Sequence, residues 1–299
     1  MKFLQNKCVC GATETQVAFP VADWNFSNVT ETANMLRCLS CMSLFPDRFP
    51  SEEAISTAYQ EYYTAHTVRS VLAKGRRSIL RILQGEASDR HLPATAISIL
   101  DYGCGSGEWL TEIGERFPGL ALHGTDMAKP AREGLPFEWI ESSTLDQQQR
   151  KFDLITLCHV LEHLRDPRET LHLLSRCLAP GGSIWIATPN AESYLFDSLG
   201  GRARDADFPR HRQIFSVPAL ANLLSDCGLI SEFMPSPRVN TALNLASGIA
   251  ARKREPTDVA PSASIGGPIV STVKHLVQNR RSRMARAPEL ILVGRQKTL

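Results

Sequence analysis

The sequence predicts an α/β protein, a doubly wound parallel sheet preceded by a small cysteine-rich module. Three observations support this prediction. From residue 97 onward, short apolar runs bounded by turn residues alternate with helical patterns, which is typical of parallel strands covered on both faces. The first run ends in a glycine-rich turn, where such sheets bind ligands. Two close pairs of cysteines lie within residues 8–41, and they predict the module.

Composition limits the classes of function. The chain has 299 residues, of which 43% are hydrophobic and 21% charged, as in ordinary globular proteins. Its 33 basic and 31 acidic residues give a net charge of +2, so no general attraction to nucleic acid is implied. We find no pattern of a secretory signal and no apolar run of transmembrane length. We therefore expect a cytoplasmic protein whose cysteines are thiols or metal ligands.

Three regions are expected along the chain. Residues 1–50 form the cysteine-rich module, residues 51–95 a helical lead and linker, and residues 96–299 the main domain. Within the last region, residues 236–287 form a basic insertion before the final strand, and its part 252–286 has eight basic residues against two acidic ones. That part is either a solvated cap or a contact for a phosphate-bearing substrate or a membrane surface.

The main domain is built from recognisable strands and helices. Asp166 and Pro167 predict the start of one helix, and Ser216 and Gly228 bracket another. Ser51, followed by two glutamates, predicts a helix start in the lead segment. Four apolar runs predict buried strands: ISILDY from residue 97, LALHGTD from 120, FDLITLC from 152 and GSIWIAT from 182.

The glycine-rich turn indicates which ligand the sheet binds. Gly103, Gly105 and Gly107 occupy three of five positions, which costs conformational entropy unless a tight turn or a closely approaching ligand requires it. The spacing matches neither a dinucleotide site nor a P-loop. Asp126 follows the second strand, where a carboxylate accepts hydrogen bonds from both ribose hydroxyls. These features favour an adenosyl group that carries an amino acid. Asp101 can accept a hydrogen bond from the ammonium group of that amino acid.

Four motifs carry a family resemblance. ILDYGCGSG, GTD, FDLITLCHVLEHLRDP and LAPGGSIWIATPN, in this order and spacing, resemble class I S-adenosylmethionine-dependent methyltransferases over residues 97–235, with PELILVGRQK as the last strand. The resemblance implies a seven-stranded Rossmann-like sheet whose final strand is antiparallel. It implies S-adenosylmethionine as cofactor, with binding residues Asp101, Gly103, Cys104, Gly105, Gly107, Asp126, Met127, Ser143 and His159. Ser143, with Ser142 and Thr144, stands where many members have an acidic residue near the adenine.

The cysteine pairs predict a zinc site. Cys8, Cys10, Cys38 and Cys41 supply four thiolates, the ligand set of a tetrahedral zinc-ribbon-like site. The first pair is one residue shorter than usual, and four thiols without metal are the alternative. The module resembles a subgroup of these methyltransferases with a cysteine-rich lead, followed here by Tyr59, Tyr62 and Tyr63. Members of that subgroup often modify sugars or cell-envelope precursors.

A hydroxyl acceptor needs a group that takes its proton. His211 lies in the loop segment DFPRHRQIFS, and we expect it to act as a substrate-side base or orienting group. Its alternative role is to pin the loop through a backbone hydrogen bond. His159 and His163 are the other candidate bases. The neighbouring Arg210 and Arg212 are expected to hold an anionic acceptor.

Together these features predict S-adenosylmethionine-dependent methyl transfer to a small-molecule acceptor such as a sugar, a nucleotide-sugar or a cell-envelope precursor. An RNA base methyltransferase is one alternative, although CHVLEH replaces the Asn-Pro-Pro-aromatic turn that resembles base amino-group methylases. A non-catalytic adenosyl-binding module and an NAD-dependent oxidoreductase are the others, because Asp126 suits either ligand. We expect no nucleic-acid partner and no transmembrane segment, with residues 252–286 as a conceivable peripheral membrane contact.

Overall fold

A computed structural model describes residues 4–5, 7–23, 30–51, 53, 55–56, 58–59, 98–130, 134–147, 150–234, 287 and 289–296. These residues form two compact units. The first contains the described residues up to 59 together with residues 189–220, 287 and 289–290. The second contains residues 98–188, 221–234 and 291–296 where they are described. Tyr62, Tyr63 and the basic part 252–286 lie outside the described residues.

The strands are β1 (Leu4–Gln5), β2 (Thr15–Val21), β3 (Ala33–Cys38), β4 (Leu44–Pro46), β5 (Arg48–Phe49), β6 (Ser98–Tyr102), β7 (Ala121–Thr125), β8 (Glu138–Trp139), β9 (Phe152–Cys158), β10 (Leu178–Pro189), β11 (Leu229–Met234) and β12 (Glu289–Gln296). The α-helices are α1 (Glu108–Arg116), α2 (Pro167–Arg176), α3 (Tyr194–Leu199) and α4 (Val217–Asp226). Short 3₁₀ helices span Ser142–Gln147, Leu161–His163 and Gly200–Arg202.

The second unit is built on a seven-stranded mixed sheet with the order β11-β12-β10-β9-β6-β7-β8. Strands β10, β9, β6, β7 and β8 pair in parallel, whereas β11 and β12 are antiparallel to each other. The apolar runs become strands because their side chains are buried on both faces, as in the core formed by Ile99, Leu110, Leu154, Trp185 and Ile291. The four predicted strands and the antiparallel final strand are confirmed.

The predicted helix boundaries of the main domain are also confirmed. The Asp166 carboxylate accepts a hydrogen bond from the Glu169 N–H at 2.9 Å, and Pro167 is the first residue of α2. Ser216 Oγ accepts from the Ala219 N–H at 3.2 Å at the start of α4. In the lead segment, residues 53, 55–56 and 58–59 are helical. Among the described residues, no helix is both long and apolar enough to span a bilayer.

The first unit has a three-stranded antiparallel sheet of order β2-β3-β4. Two apolar clusters hold it. One joins this sheet to α3 and the following loop through residues such as Met35, Leu44, Phe196 and Phe208. The other surrounds the cysteines with Phe45 and Ala219. The N-terminal strands are therefore packed against residues that lie far away in the sequence.

Candidate active site

The glycine-rich turn closes the carboxyl end of β6. The N–H groups of Gly103 and Cys104 donate to the Thr125 carbonyl at 2.7 and 3.0 Å, which ties the turn to the end of β7. Gly103 has a φ of 83°, and a Cβ there would lie 2.3 Å from the Val160 side chain. Gly105 has a φ of 54°, but a Cβ there would meet nothing within 4 Å. Packing therefore requires glycine at 103, whereas at 105 the bare backbone faces open space.

Two acidic residues flank this turn. Asp101 is buried at the end of β6, and its Oδ1 accepts a hydrogen bond from Thr156 Oγ1 on the neighbouring β9 at 2.7 Å. Asp126 follows β7; its two carboxylate oxygens accept from the N–H groups of Gly105 and Met127 at 2.7 and 2.6 Å. Because each carboxylate oxygen has two acceptor sites, Asp126 keeps the capacity to accept ribose hydroxyls as well.

The other predicted cofactor residues differ in how their side chains are placed. The Met127 side chain is 80% exposed beside the turn. Ser143 is exposed on the 3₁₀ helix Ser142–Gln147. The Cys104 side chain instead packs into the sheet core, and burial raises the pKa of its thiol. Cys104 therefore contributes only its backbone to the turn.

His159 stands directly after β9 at the same edge of the sheet. Its backbone is in the left-handed region (φ 54°), and its N–H donates to the Ala187 carbonyl at 2.8 Å. Its Nδ1 lies 3.2 Å from Oε1 of Glu162, a fully buried carboxylate. The other oxygen of Glu162 accepts from Thr188 Oγ1 at 3.0 Å. The His159 side chain is 41% exposed, so the buried carboxylate lies beside Nδ1 of an imidazole that is partly open to solvent.

Glu162 is the functional candidate that the sequence reasoning missed. The signal is present in CHVLEH, where a glutamate follows His159 by three residues. Such spacing places the two side chains on one face of a helical turn. The 3₁₀ helix Leu161–His163 supplies that turn. His163 itself is partly buried in the turn, and its N–H donates to the Val160 carbonyl at 3.0 Å.

His211 lies in the first unit. It is buried, and its Nδ1 lies 2.8 Å from the Asp205 carbonyl. The loop-pinning hydrogen bond is therefore present. A carbonyl oxygen can only accept, so Nδ1 carries the proton of this hydrogen bond. In the neutral ring the lone pair is then on Nε2.

The expectation that Arg210 holds an anionic acceptor is wrong. Its guanidinium is 1% exposed and donates to the carboxylates of Asp207 and Asp23, with N–O distances of 2.6 Å to each. Burial opposes its charge, but these two acids keep the pKa of Arg210 above its ordinary value. Arg212 instead lies over the Phe49 ring at 4.9 Å. Arg210 therefore links parts of the first unit.

The four predicted metal ligands are brought together. The Sγ atoms of Cys8, Cys10, Cys38 and Cys41 all lie within 4.8 Å of one another, with Cys8–Cys41 at 3.3 Å and Cys10–Cys38 at 3.6 Å. Zinc–sulfur bonds of about 2.3 Å in a tetrahedron require sulfur separations of about 3.8 Å. The contact between Cys8 and Cys41 lowers the pKa of Cys41 and raises that of Cys8. The four sulfur donors and their spacing fit zinc.

Comparison with known proteins decides the family. A family model described as a methyltransferase domain matches residues 62–230, more than half of the chain. The chain belongs to this methyltransferase family. Its fold and family together make it a class I S-adenosylmethionine-dependent methyltransferase.

Its relatives include ubiquinone biosynthesis O-methyltransferases. The protein from Alkalilimnicola ehrlichii is 32% identical over 116 residues, which is 34% of this chain and 46% of that protein. The protein from Idiomarina loihiensis is 35% identical over 104 residues, which is 31% of this chain and 42% of that protein. The chain spans about half the length of the curated relatives it matches. Among solved structures, the plantazolicin methyltransferase BpumL in complex with a triazolic desmethylPZN analog and SAH has a TM-score of 0.50 at 15% identity, covering 78% of this chain and 91% of that one.

Proposed function

We propose that this methyltransferase transfers the methyl group of S-adenosylmethionine to a hydroxyl of a small-molecule acceptor. The observation that carries the proposal is one edge of the sheet, where Asp101 lies near the end of β6. The glycine turn, Asp126 and His159 follow the adjacent parallel strands β6, β7 and β9 there. Ligands bind at this edge of doubly wound sheets. The two relatives described above are named O-methyltransferases, which supports a hydroxyl acceptor.

The residues present fit S-adenosylmethionine. Gly105 leaves open space where any other residue would place a Cβ, so a ligand can lie against the backbone there. Asp101 would accept a hydrogen bond from the ammonium group, and Asp126 would accept hydrogen bonds from the ribose hydroxyls. Gly103, Gly107 and the backbone of Cys104 would form the turn around the cofactor. Met127 and Ser143 would lie beside the adenine. The bound cofactor supplies an already activated methyl group, so alignment contributes much of the rate.

His159 is the proposed base. Because its Nδ1–H donates to Glu162, its Nε2 lone pair accepts the proton of the acceptor hydroxyl. Glu162 then stabilises the imidazolium that forms, as the carboxylate does in catalytic triads. Thr188 holds Glu162 in place. Of the roles expected for His211, we propose that of the group that orients the acceptor. His163 has a packing role in this proposal.

The four cysteines are proposed to bind one zinc ion. A site closed by four thiolates has no open position for water or substrate, so its role is structural. Thiolate ligands of this kind persist in a reducing compartment, which supports the proposed cytoplasmic location. The cysteine-rich lead resembles that of sugar-modifying methyltransferases, so a sugar, nucleotide-sugar or cell-envelope precursor is the proposed acceptor class.

Calorimetry with S-adenosylhomocysteine and NAD, side by side on the full chain, tests the cofactor assignment. We expect S-adenosylhomocysteine to bind and NAD to give no heat, because the three glycines of the turn do not have the G-x-G-x-x-G spacing of a dinucleotide site. Binding of NAD alone would refute the proposal. Methyl incorporation into candidate sugar and phenol acceptors from labelled S-adenosylmethionine then tests the acceptor class.

A further inference from the structure

The segment that carries His211 is bonded on its downstream side to the loops that hold the cysteines. At the backbone level, Leu44 and Ile214 exchange two hydrogen bonds, with N–O distances of 2.9 and 2.8 Å. Leu44 begins β4, three residues after Cys41. The chain from Cys41 to Leu44 and the chain after His211 therefore form a short antiparallel pair.

Gln213 contacts the backbone of the residues on both sides of Cys8. Its Nε2 donates to the Lys7 carbonyl at 2.7 Å, and its Oε1 accepts from the Val9 N–H at 3.4 Å. The residue is buried. A side-chain amide offers both a donor and an acceptor, and Gln213 uses one for each of the two residues that flank Cys8.

Ser216 contacts the second pair. Its Oγ donates to the Cys41 carbonyl, and its N–H donates to Ser43 Oγ at 3.2 Å. The same Oγ begins α4 by accepting from the Ala219 N–H, and Ala219 packs in the cluster of Cys8, Cys38 and Cys41. The second pair and the start of α4 thus share one buried hydroxyl.

The upstream side of His211 is held differently. Arg210 is bonded to Asp23 and Asp207, and neither acid belongs to the cysteine loops. His211 therefore lies between an ion-paired anchor that does not involve the cysteines and two anchors, Gln213 and Ser216, that do. A metal that joins Cys8 and Cys41 would hold the two downstream anchors at a set distance from each other.

We propose that Gln213 and Ser216 are positioning residues that couple metal binding at the four cysteines to the placement of His211. The inference rests on the proposed zinc site and on the proposed substrate role of His211. Removing the metal frees the loops around Cys8 and Cys41, and Gln213 and Ser216 transmit that freedom to the segment 205–216. The cysteine module then controls the acceptor side of the enzyme while the glycine turn keeps its cofactor contacts.

Amide hydrogen exchange on the full chain, before and after removal of the metal with a chelator, tests the coupling. We expect exchange in peptides covering residues 205–216 to accelerate about tenfold or more on metal removal, with peptides covering α2 unchanged. The ¹⁵N imidazole signal of His211, assigned by its loss in His211→Asn, should shift in the same comparison. Unchanged exchange in residues 205–216, or equal acceleration in α2, refutes the coupling.

A variant separates the coupling from metal binding itself. Gln213→Glu removes the donor to the Lys7 carbonyl and leaves the cysteines intact. We expect it to retain zinc, to exchange faster in residues 205–216 with zinc bound, and to show a smaller change on metal removal. Gln16→Glu makes the same chemical change at an exposed position of β2 and should behave as the unaltered chain.

The outcomes distinguish this inference from the proposals beneath it. Protein that binds no zinc in elemental analysis refutes the metal site and the inference together. If the protein binds zinc but its removal changes neither the exchange of residues 205–216 nor the His211 signal, only the inference is refuted. A Gln213→Glu variant that matches the unaltered chain in both measurements does the same.

Discussion

The two units hold their functional residues in different ways. In the second unit, the glycine turn, Asp126 and His159 are placed by main-chain hydrogen bonds and by residues within one or two strands of the same sheet. In the first unit, the cysteines and His211 depend on contacts across the chain, such as Arg210 with Asp23 and Gln213 with Lys7, which are 187 and 206 residues apart. The residues of the second unit are therefore held by neighbouring strands of one sheet, whereas those of the first unit depend on segments that are distant in the sequence.

Loss of the metal should have the largest effect, and that effect should be confined to the first unit. Cys38→Ser removes one of four thiolates, and we expect zinc, about one per chain in elemental analysis, to be lost. Structural zinc sites contribute on the order of 10 kcal/mol in small zinc peptides, so the first unit should lose most of its stability to thermal unfolding. Binding of S-adenosylhomocysteine should survive. The control is Cys227→Ser, which changes a cysteine of the second unit outside the four predicted ligands. Metal-free protein of normal stability would contradict the zinc site.

Replacement of His159 should have the next largest effect. His159→Asn keeps one hydrogen bond to Glu162 but removes the basic nitrogen, so we expect kcat to fall about 100-fold. Binding of S-adenosylhomocysteine should persist, because Asp101 and Asp126, which would make the polar contacts to the cofactor, are untouched. His163→Asn is the matched control and should stay within about threefold.

A second variant tests whether Glu162 acts through His159. Glu162→Gln preserves the shape but removes the charge that stabilises the imidazolium, so kcat should fall about tenfold in the unaltered chain. It should fall no further in the His159→Asn background. If the two losses simply multiply, Glu162 does not act through His159.

Replacement of Asp126 tests the proposed cofactor site in the second unit. Asp126→Ala removes the acceptor for ribose and also for the Gly105 N–H, so we expect cofactor binding to weaken by about 1.5–3 kcal/mol. Asp126→Asn keeps one acceptor oxygen and should lose less. Calorimetry with S-adenosylhomocysteine measures both, and unchanged affinity in folded Asp126→Ala would remove this residue from the site.

The smallest effect is expected at His211. If it orients the acceptor, His211→Asn should raise the KM of the acceptor about threefold to tenfold, with kcat nearly unchanged. Steady-state kinetics with the identified acceptor separate the two parameters. A fall in kcat of about 100-fold with KM unchanged would instead make His211 the base.

Sequence reasoning predicted the local features well and the long-range ones poorly. The turn at Gly103–Gly107, the helix start at Asp166 and Pro167, and the two close pairs of cysteines are all visible in short motifs. The role of Arg210 was predicted wrongly. Nothing near position 210 indicates that Asp23 will lie 2.6 Å from its guanidinium, because that partner is set by how distant segments pack.

The sequence by itself determined the sheet, the glycine turn and the acids that follow its strands. Apolar periodicity, backbone freedom and capping act over a few residues, and these were enough. Only the tertiary structure decided that Cys104 faces the core, that Glu162 is buried against His159, and that Gln213 and Ser216 join His211 to the cysteines. Burial and the low dielectric around a buried group depend on every segment packed near it, so no short stretch of the chain specifies them.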